Sequence, residues 1–491
     1  MTVVGKGPAA MIQTGTQPED FDLVVIGSGE GAKFLAWTLA KQGQRVAVVE
    51  QRWIGGSCPN IACLPSKNII HSAKIASYFA KAGEFGIETA GYAVDMRKVI
   101  NRKRAMVKGL VDIHVNNFKN SGVDLILGHG HFAGPRLVEV DLKAGGKRWL
   151  LGKKVVIGAG THASLDAIPG LKEANPLTHI EALELEQVPS HLLIIGGGYI
   201  GLEFAQAMRR LGSRVSLLDR NATLLHREDP DSISEVESLF RDEGIELLLN
   251  VAVEYITGTS GESVEIAYRQ NGEAKSIQGS HILVAMGRTP NTQGLGAELA
   301  GVELTDRGYV KVNDRLESTA EGVWAVGEVA GSPQFTHIAF DDFRILRDNF
   351  SGGNRSTKGR LVPFTLFTDP ELARVGLSEK EAKAMGISYR LFKTPMATVL
   401  RARTLSETRG FMKALIAEEN DQILGFTAFG VNAGEIMGAV QLVMLGNLPF
   451  TSIRDAILAH PTLMEGLIAL FSTVPAARKA PFDTEHEEGA A

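Results

Sequence analysis

The sequence has little cysteine, no long apolar run and no signal-peptide pattern. Cysteine occurs only twice in 491 residues, at Cys58 and Cys63, which excludes a scaffold held by several disulfides and favours a redox role in a reducing compartment. No run of about 18 apolar residues is present that could span a membrane, and residues 1–19 lack the basic and apolar regions of a signal peptide. We therefore expect a cytoplasmic protein.

The charge balance excludes further classes of protein. Lys and Arg number 51 against 56 Asp and Glu, a net charge of −5, and no basic segment marks a nucleic acid or an anionic membrane as a partner. Hydrophobic residues make up 44% and charged residues 22% of the chain, which is typical of a globular protein with large cores. We expect small-molecule partners, no nucleic acid and no membrane.

Two copies of one pattern dominate the first half of the chain. Residues 21–50 and 191–219 each read as strand, glycine turn, helix and strand, ending on an acid. The acid follows the first glycine after 23 residues in both copies (27 to 50 and 196 to 219), close to the roughly 20-residue spacing of a dinucleotide fold. The residues of the pattern are Gly27, Gly29, Ala32 and Glu50 in the first copy and Gly196, Gly198, Gly201 and Asp219 in the second. The repeat predicts two bound dinucleotides.

The two cysteines lie in residues 55–67, GGSCPNIACLPSK, just after the first copy. In a regular helix five residues rise by about 7.5 Å, beyond the Cα separation of roughly 7 Å that a disulfide tolerates. The spacing therefore predicts an irregular helix around the pair. A position near a helix N-terminus would also give Cys58 thiolate character.

The cysteine segment and four further segments resemble the class I pyridine nucleotide-disulfide oxidoreductases, the family of glutathione reductase, dihydrolipoamide dehydrogenase and mercuric reductase. The family pattern around the redox pair is GGTCxNxGCxPSK, from which this chain departs at Ser57 and Ala62. The further matches are VAMGRTPNT (284–292), GVWAVGEVAG (322–331), FTDPELARVGLSE (367–379) and HPTLMEG (460–466). The resemblance covers approximately residues 20 to 475.

The resemblance implies FAD at the first copy and a nicotinamide nucleotide at the second, with no metal ligand. Glu328 stands where the family has Asp against the flavin's ribityl chain, so an extra methylene must be accommodated. The residues implied for FAD are Gly27, Gly29, Ala32, Glu50, Gly56, Ser57, Lys67, Gly327 and Glu328. Those implied for the nicotinamide nucleotide are Gly196, Gly198, Gly201, Asp219, Arg220, Gly287 and Arg288.

The choice between NADH and NADPH depends on the end of the second copy. The carboxylate of Asp219 can accept both ribose hydroxyls and would repel a 2′-phosphate, whereas Arg220 and Arg227 could hold that phosphate. We favour NADH.

The resemblance also implies a relay of electrons through the cysteine pair. Cys63 would lie against the flavin and Cys58 would exchange with substrate, while His460, oriented by Glu465, would act as the acid. Lys67 and Glu203 match a pair that the family places near flavin and nicotinamide.

The predicted fold class is α/β, with two Rossmann-like dinucleotide-binding domains and a C-terminal α+β dimerisation domain. The FAD domain would comprise residues 20–155 and 285–355, the NAD(P) domain 156–284 and the dimerisation domain 360–475. A flexible leader (1–19) and a disordered tail (476–491) would flank them. The resemblance implies a homodimer in which His460 faces the other subunit's cysteines.

The electron acceptor stays open at this stage. A mercuric reductase would carry a C-terminal cysteine pair, which is missing here, and a dihydrolipoamide dehydrogenase usually has a histidine where this chain has Leu458. Residues 334–348 and 401–403 look closer to the hypothiocyanous acid and copper-responsive reductases of bacteria. We predict an NAD(P)H-dependent reductase of a disulfide or oxidant. The alternative from another class is a non-catalytic flavoprotein subunit or redox sensor, in which NAD(P)H would not reduce the flavin.

Overall fold

The computed structural model describes residues 17–165, 168–473 and 475. Most of the predicted leader and the predicted tail 476–491 lie outside the described residues. The chain divides into two compact units. The first unit comprises the described residues up to Gly196 together with Arg210–Val215 and Val253–Arg360, and the second comprises Gly197–Arg209, Ser216–Ala252 and the described residues from Leu361 onward.

The described residues form twenty β-strands and thirteen α-helices. The strands are β1 (Glu19–Ile26), β2 (Val46–Glu50), β3 (Asp124–Gly134), β4 (Leu137–Leu142), β5 (Lys147–Ile157), β6 (Thr161–Ala163), β7 (His191–Ile195), β8 (Arg214–Leu218), β9 (Glu246–Leu248), β10 (Val251–Thr259), β11 (Ser263–Gln270), β12 (Glu273–Gly279), β13 (His281–Val284), β14 (Arg288–Pro290), β15 (Val323–Ala325), β16 (Phe364–Leu366), β17 (Glu371–Gly376), β18 (Tyr389–Pro395), β19 (Phe411–Ala417) and β20 (Ile423–Gly430). The α-helices are α1 (Glu30–Lys41), α2 (Ser57–Ile61), α3 (Cys63–Ala80), α4 (Met96–Ser121), α5 (His179–Ala182), α6 (Tyr199–Arg210), α7 (Pro230–Asp242), α8 (Thr336–Phe350), α9 (Glu379–Ala384), α10 (Leu400–Thr404), α11 (Ala433–Leu445), α12 (Thr451–Arg454) and α13 (Gly466–Ser472).

A six-stranded sheet organises the first unit. Strand β1 pairs in parallel with β2 and β5, β2 pairs in parallel with β3, and β15 pairs in parallel with β5. The strands β3, β4 and β5 also form an antiparallel meander. All five residues of β2 are buried. The first four form a continuous apolar run, as is typical of a parallel strand that is covered on both faces. Helix α1 packs against α4 and α8, around a core that includes Leu35 and Phe118.

The second glycine copy has the same local order. Strand β7 is followed in the chain by α6 and β8, β7 pairs in parallel with β13, and β8 pairs in parallel with β9. Strands β10, β11 and β12 form a small separate sheet. The prediction of two Rossmann-like nucleotide-binding folds is confirmed.

The C-terminal part of the second unit is built on an antiparallel five-stranded sheet in the order β16-β17-β20-β19-β18. Helix α11 packs on β17 and β20, and α13 packs on β18. Their shared core includes Met396, Phe426, Val440 and Phe471, all buried. The predicted C-terminal α+β fold is confirmed, whereas the exact domain boundaries stay predictions. None of the described helices is long and apolar enough to cross a membrane.

Candidate active site

The helix carrying the cysteines is interrupted between them. Helix α2 ends at Ile61 and α3 begins at Cys63, because Ala62 adopts φ −134° and ψ −104°, outside the helical region. Cys58 therefore lies in the first turn of α2. The irregular helix predicted from the cysteine spacing is confirmed, and the structure holds both residues as half-buried thiols.

The cysteine loop packs directly on the first glycine turn. Gly56 has φ +83°, and a Cβ atom there would lie 2.5 Å from the Cα atom of Gly29, so only glycine fits. The Ser28 hydroxyl accepts a hydrogen bond from the Gly55 amide at 2.9 Å and donates one to a Glu50 carboxylate oxygen at 2.6 Å. The structure thus brings the glycine turn, the acid that ends β2 and the cysteine loop into one cradle.

The two thiols have different surroundings. The Cys63 sulfur lies 3.1 Å from the Thr336 hydroxyl. A hydrogen bond to Cys63 and burial raise the pKa of the Cys58 thiol, and the charge of Glu30 adds to this effect. This direction is opposite to the thiolate character predicted for Cys58 from a position near a helix N-terminus. Sequence reasoning missed Thr336, although it lies in the segment 334–348 that carried part of the resemblance.

A buried lysine contacts the backbone of the cysteine loop. Lys33, in α1, is 2% exposed, and its ammonium donates to the Gly55 carbonyl at 3.1 Å. The same ammonium lies 2.8 Å from Nε2 of His114 and 2.6 Å from the Glu30 carboxylate. Burial lowers the pKa of His114, so this imidazole stays neutral and can accept from the ammonium. Sequence reasoning missed Lys33; its signal is a cation within the apolar pattern of α1.

Glu328 uses its extra methylene in a contact within the first unit. Its carboxylate accepts a hydrogen bond from Arg288 Nε at 2.9 Å and another from the Thr161 hydroxyl. Arg288 also donates to the Thr161 carbonyl at 2.9 Å. The neighbouring Gly327 amide donates to the buried Asp342 carboxylate at 2.8 Å. The structure thus joins a residue implied for FAD to one implied for the nicotinamide nucleotide, a pair that sequence reasoning did not predict.

The first glycine turn fits the phosphates of FAD. Gly27 has φ +96°, and a Cβ atom there would lie 2.4 Å from the Gly158 carbonyl oxygen. Helix α1 begins after Gly29 with no side chain capping its first amides, and a Cβ at Gly29 would have only one neighbour, at 3.8 Å. Open amides at the positive end of a helix are what a pyrophosphate requires. Ala32 packs below the turn and is 1% exposed.

The end of the second copy presents a preorganised carboxylate. Asp219 accepts hydrogen bonds from the Gly197 amide at 2.6 Å and from the Asn221 amide at 2.7 Å. A Cβ atom at Gly198 would meet no atom within 4 Å, which leaves room for a phosphate. Arg220 is exposed beside this site.

The remaining predicted residues are placed as follows. Glu203, in α6, is 7% exposed and accepts from the Phe367 amide at 3.1 Å. Lys67 lies in α3 in the first unit, and its pairing with Glu203 stays a prediction. The other positions are Ser57 at the start of α2, Gly196 directly after β7, Gly201 in α6 and Gly287 directly before β14.

The histidine and glutamate of the HPT segment form a pair in the second unit. Nδ1 of His460 lies 2.9 and 3.0 Å from the two carboxylate oxygens of Glu465. The His460 side chain is 62% exposed. A carboxylate on Nδ1 orients the imidazole and leaves Nε2 for proton transfer.

The comparisons with known proteins agree with this geometry. Residues 21–342 match the model of the pyridine nucleotide-disulphide oxidoreductase family, and residues 362–470 match its dimerisation domain. The chain is 35% identical to the probable pyridine nucleotide-disulfide oxidoreductase RclA of Escherichia coli over 92% of this chain and 99% of that protein. It is 31% identical to a mercuric reductase of Staphylococcus aureus over 91% of this chain and 81% of that protein. A solved Cu(II) complex of the HOCl-induced flavoprotein disulfide reductase RclA from Escherichia coli superposes with a TM-score of 0.85 at 34% identity, covering 93% of this chain and 100% of that one.

The chain belongs to the pyridine nucleotide-disulfide oxidoreductase family, whose members are NAD(P)H-dependent flavoproteins. The matched dimerisation domain implies a homodimer.

Proposed function

We propose that this chain is an NAD(P)H-dependent reductase that passes electrons from FAD to the Cys58–Cys63 pair and then to a disulfide or oxidant. The observation that carries the proposal is the contact of Gly56 with Gly29, because it joins the redox thiols to the phosphate turn of the FAD site. FAD bound there would supply a group that accepts hydride from a nicotinamide, which no side chain of the chain can do.

The two cysteines have separate roles in the proposed reaction. The Cys58 sulfur, once deprotonated, attacks one sulfur of a substrate disulfide, forms a mixed disulfide and releases the other half as a thiolate, which takes up a proton. The Cys63 thiolate then attacks the Cys58 sulfur, re-forms the Cys58–Cys63 disulfide and releases the second half. The 3.1 Å contact between the Cys63 sulfur and the Thr336 hydroxyl gives the two cysteines different surroundings and supports this division.

The raised pKa of the Cys58 thiol creates a need for a base and then an acid. His460 meets both requirements, because Glu465 accepts a hydrogen bond from its Nδ1 and orients the ring so that Nε2 can take up and release a proton. We propose that His460 of one subunit serves the thiols of the other. Its solvent exposure in the single chain supports a role at a subunit boundary.

The substrate panel follows from the relatives. The Escherichia coli relative is described as HOCl-induced and as forming a Cu(II) complex, and another relative is a mercuric reductase. Purified holoenzyme is therefore assayed with NADH or NADPH against glutathione disulfide, hypothiocyanous acid, Cu(II) and Hg(II), and with NAD⁺ against dihydrolipoamide. We expect fastest turnover with an oxidant or disulfide, lost in Cys58→Ser. Absence of any NAD(P)H-dependent flavin reduction would overturn the proposal in favour of a non-catalytic subunit or sensor.

We also propose NADH as the preferred donor. The Asp219 carboxylate is held in place by two backbone amides and can accept the ribose hydroxyls. A hydrogen bond to a charged group contributes about 1.5–3 kcal/mol, and about 1.4 kcal/mol is a factor of ten. We expect Asp219→Ser to lower kcat/KM for NADH by about 10- to 100-fold. A wild-type preference for NADPH that Arg220→Gln abolishes would show that the arginine decides.

A further inference from the structure

Three side chains with metal-binding atoms meet on one face of the meander of β3, β4 and β5. His129 and His131 are two residues apart in β3, so their side chains lie on the same face. Asp141 in β4 is the direct partner of His129 in the sheet register. One ligand atom from each of the three residues lies within 4.8 Å of the others. We propose that His129, His131 and Asp141 bind a divalent transition-metal ion, Cu(II) or Zn(II).

The separation of the ligand atoms suits such an ion. Imidazole nitrogen and carboxylate oxygen lie about 2.0–2.2 Å from bound Zn²⁺, so two ligands of one ion are at most about 4.4 Å apart. The three ligand atoms lie within 4.8 Å of one another, so that small side-chain rotations would bring them to such separations. Two imidazoles with one carboxylate suit first-row transition-metal ions such as Cu(II) and Zn(II), whereas Mg²⁺ and Ca²⁺ prefer oxygen ligands.

His131 provides a second, independent observation. Its Nδ1 atom is buried and has no hydrogen-bond partner among the described residues. A buried polar atom without a partner costs free energy, and a bound group normally satisfies it. The rings of His129 and His131 lie 5.8 Å apart and are inclined by 31°, so both reach the same region above the sheet.

Lys147 in β5 forms ion pairs with two carboxylates at this site. Its ammonium lies 3.2 Å from the Asp141 carboxylate and also contacts Glu139. A metal ion therefore competes with Lys147 for Asp141. Replacing the lysine with a neutral side chain should strengthen metal binding.

A second group of possible metal ligands among the described residues is already neutralised by a lysine. Asp229, Asp231 and Glu379 also lie close enough to hold an ion. The ammonium of Lys413, however, lies 2.8 Å from each aspartate and 3.0 Å from Glu379. A buried cation of the protein itself occupies the centre of that cluster, so we infer no metal there.

The test uses the FAD-loaded enzyme with the substitutions Cys58→Ser and Cys63→Ser, because thiols also bind soft metals. Cu(II) is titrated into this parent, and its electron paramagnetic resonance spectrum is recorded. We expect one equivalent of Cu(II) whose spectrum shows coupling to two nitrogen atoms. Adding His129→Gln and His131→Gln to this parent should abolish that coupling. Loss of a partner outside the ligand shell weakens metal binding by about 10- to 100-fold, and loss of these two ligands should weaken Cu(II) binding by more than that.

Matched variants make the result decisive. His71→Gln removes an exposed histidine of α3 and should leave the stoichiometry and spectrum unchanged, whereas Lys147→Met should tighten binding severalfold. Asp141→Asn, an exposed single change, tests the site if the double histidine variant loses FAD or its melting transition. The proposal would be overturned if the His129→Gln/His131→Gln variant bound Cu(II) with unchanged affinity and nitrogen coupling. It would also be overturned if Asp141→Asn kept both the affinity and the spectrum of the parent.

Discussion

At the residue scale, the reactivity of the redox pair depends on which thiol keeps its proton. The hydrogen bond to Cys63 and burial raise the pKa of Cys58, and the Thr336 hydroxyl lies 3.1 Å from the Cys63 sulfur. We propose that Cys63 is the thiolate that lies against the flavin and that Cys58 depends on an external base.

This difference predicts distinct spectra for two single variants. Cys63→Ser should lack the long-wavelength thiolate-to-flavin absorbance of the two-electron-reduced enzyme, because the charged sulfur is gone. Cys58→Ser should retain a thiolate at Cys63 and therefore show the absorbance. Both variants are compared with wild type by anaerobic titration. An unchanged band in Cys63→Ser would contradict the assignment.

His179 provides a prediction about stability and pH. Burial, and then the positive charge of Arg288, lower the pKa of His179 to about 4, while the unfolded chain titrates near 6.5. Because the unfolded state binds the proton more readily, stability is lost as the pH falls from 6.5 towards 4. At pH 5 this amounts to about 2 kcal/mol, using about 1.4 kcal/mol per pKa unit.

The variant His179→Phe should reduce the loss of unfolding free energy between pH 7 and pH 5 by about 2 kcal/mol. Urea unfolding at the two pH values measures this difference. His226→Asn, at an exposed position, serves as the control and should keep the wild-type slope. If His179→Phe and wild type lose stability equally, the imidazole is not the group that titrates.

At the element scale, Lys413 in β19 connects the start of α7 with α9. The lysine is completely buried, and its ammonium contacts Asp229, Asp231 and Glu379. Burial, the largest single effect, raises the pKa of Asp229 and of Asp231. Hydrogen bonds from Lys413, joined by the amides of Lys380 and Glu379 at Asp229 and by Lys393 at Asp231, nevertheless lower both pKa values overall. The stabilisation is present above the usual carboxyl range and is lost as the pH falls through the lowered pKa values.

Removing this cation should be costly. Lys413→Met leaves three carboxylates without their central charge, and breaking a buried pair in this way costs about 3–5 kcal/mol. Lys393 is the cross-strand neighbour of Lys413 and contacts Asp231 at 2.9 Å from a 41% exposed position. Lys393→Met should therefore cost only about 0–1 kcal/mol. Chemical denaturation of both variants measures the difference, and equal losses would contradict a special role for Lys413.

At the scale of the whole molecule, the C-terminal domain presents apolar side chains to solvent. Leu442 and Leu445 in α11 are 70% and 57% exposed, while Ile436 and Val440 of the same helix are buried in the core. Sequence periodicity could not separate a core helix from an interface helix in this segment. The exposed leucines support a contact with a second copy, since exposed apolar clusters mark interfaces.

A shared active site predicts complementation between two inactive variants. Homodimers of Cys58→Ser and of His460→Ala should both be nearly inactive towards a disulfide. Co-expressed chains should form heterodimers with one intact site, made of the cysteines from the His460→Ala chain and the histidine from the Cys58→Ser chain. Purified heterodimers are assayed, and their mass is measured in solution. Heterodimers no more active than the parents would mean that His460 does not serve the partner's thiols.

The sequence by itself determined the features that depend on local backbone requirements. The two glycine turns, the acids that end β2 and follow β8 and the interrupted cysteine helix all follow from short-range spacing, because few residue types satisfy such backbone geometry. The segment motifs added the family and its cofactors. The tertiary structure alone decided contacts between residues distant in the chain: Thr336 with Cys63, Arg288 with Glu328, and Asp141 opposite His129. These depend on strand register and on how helices pack, and neither property is encoded in the spacing of any single segment.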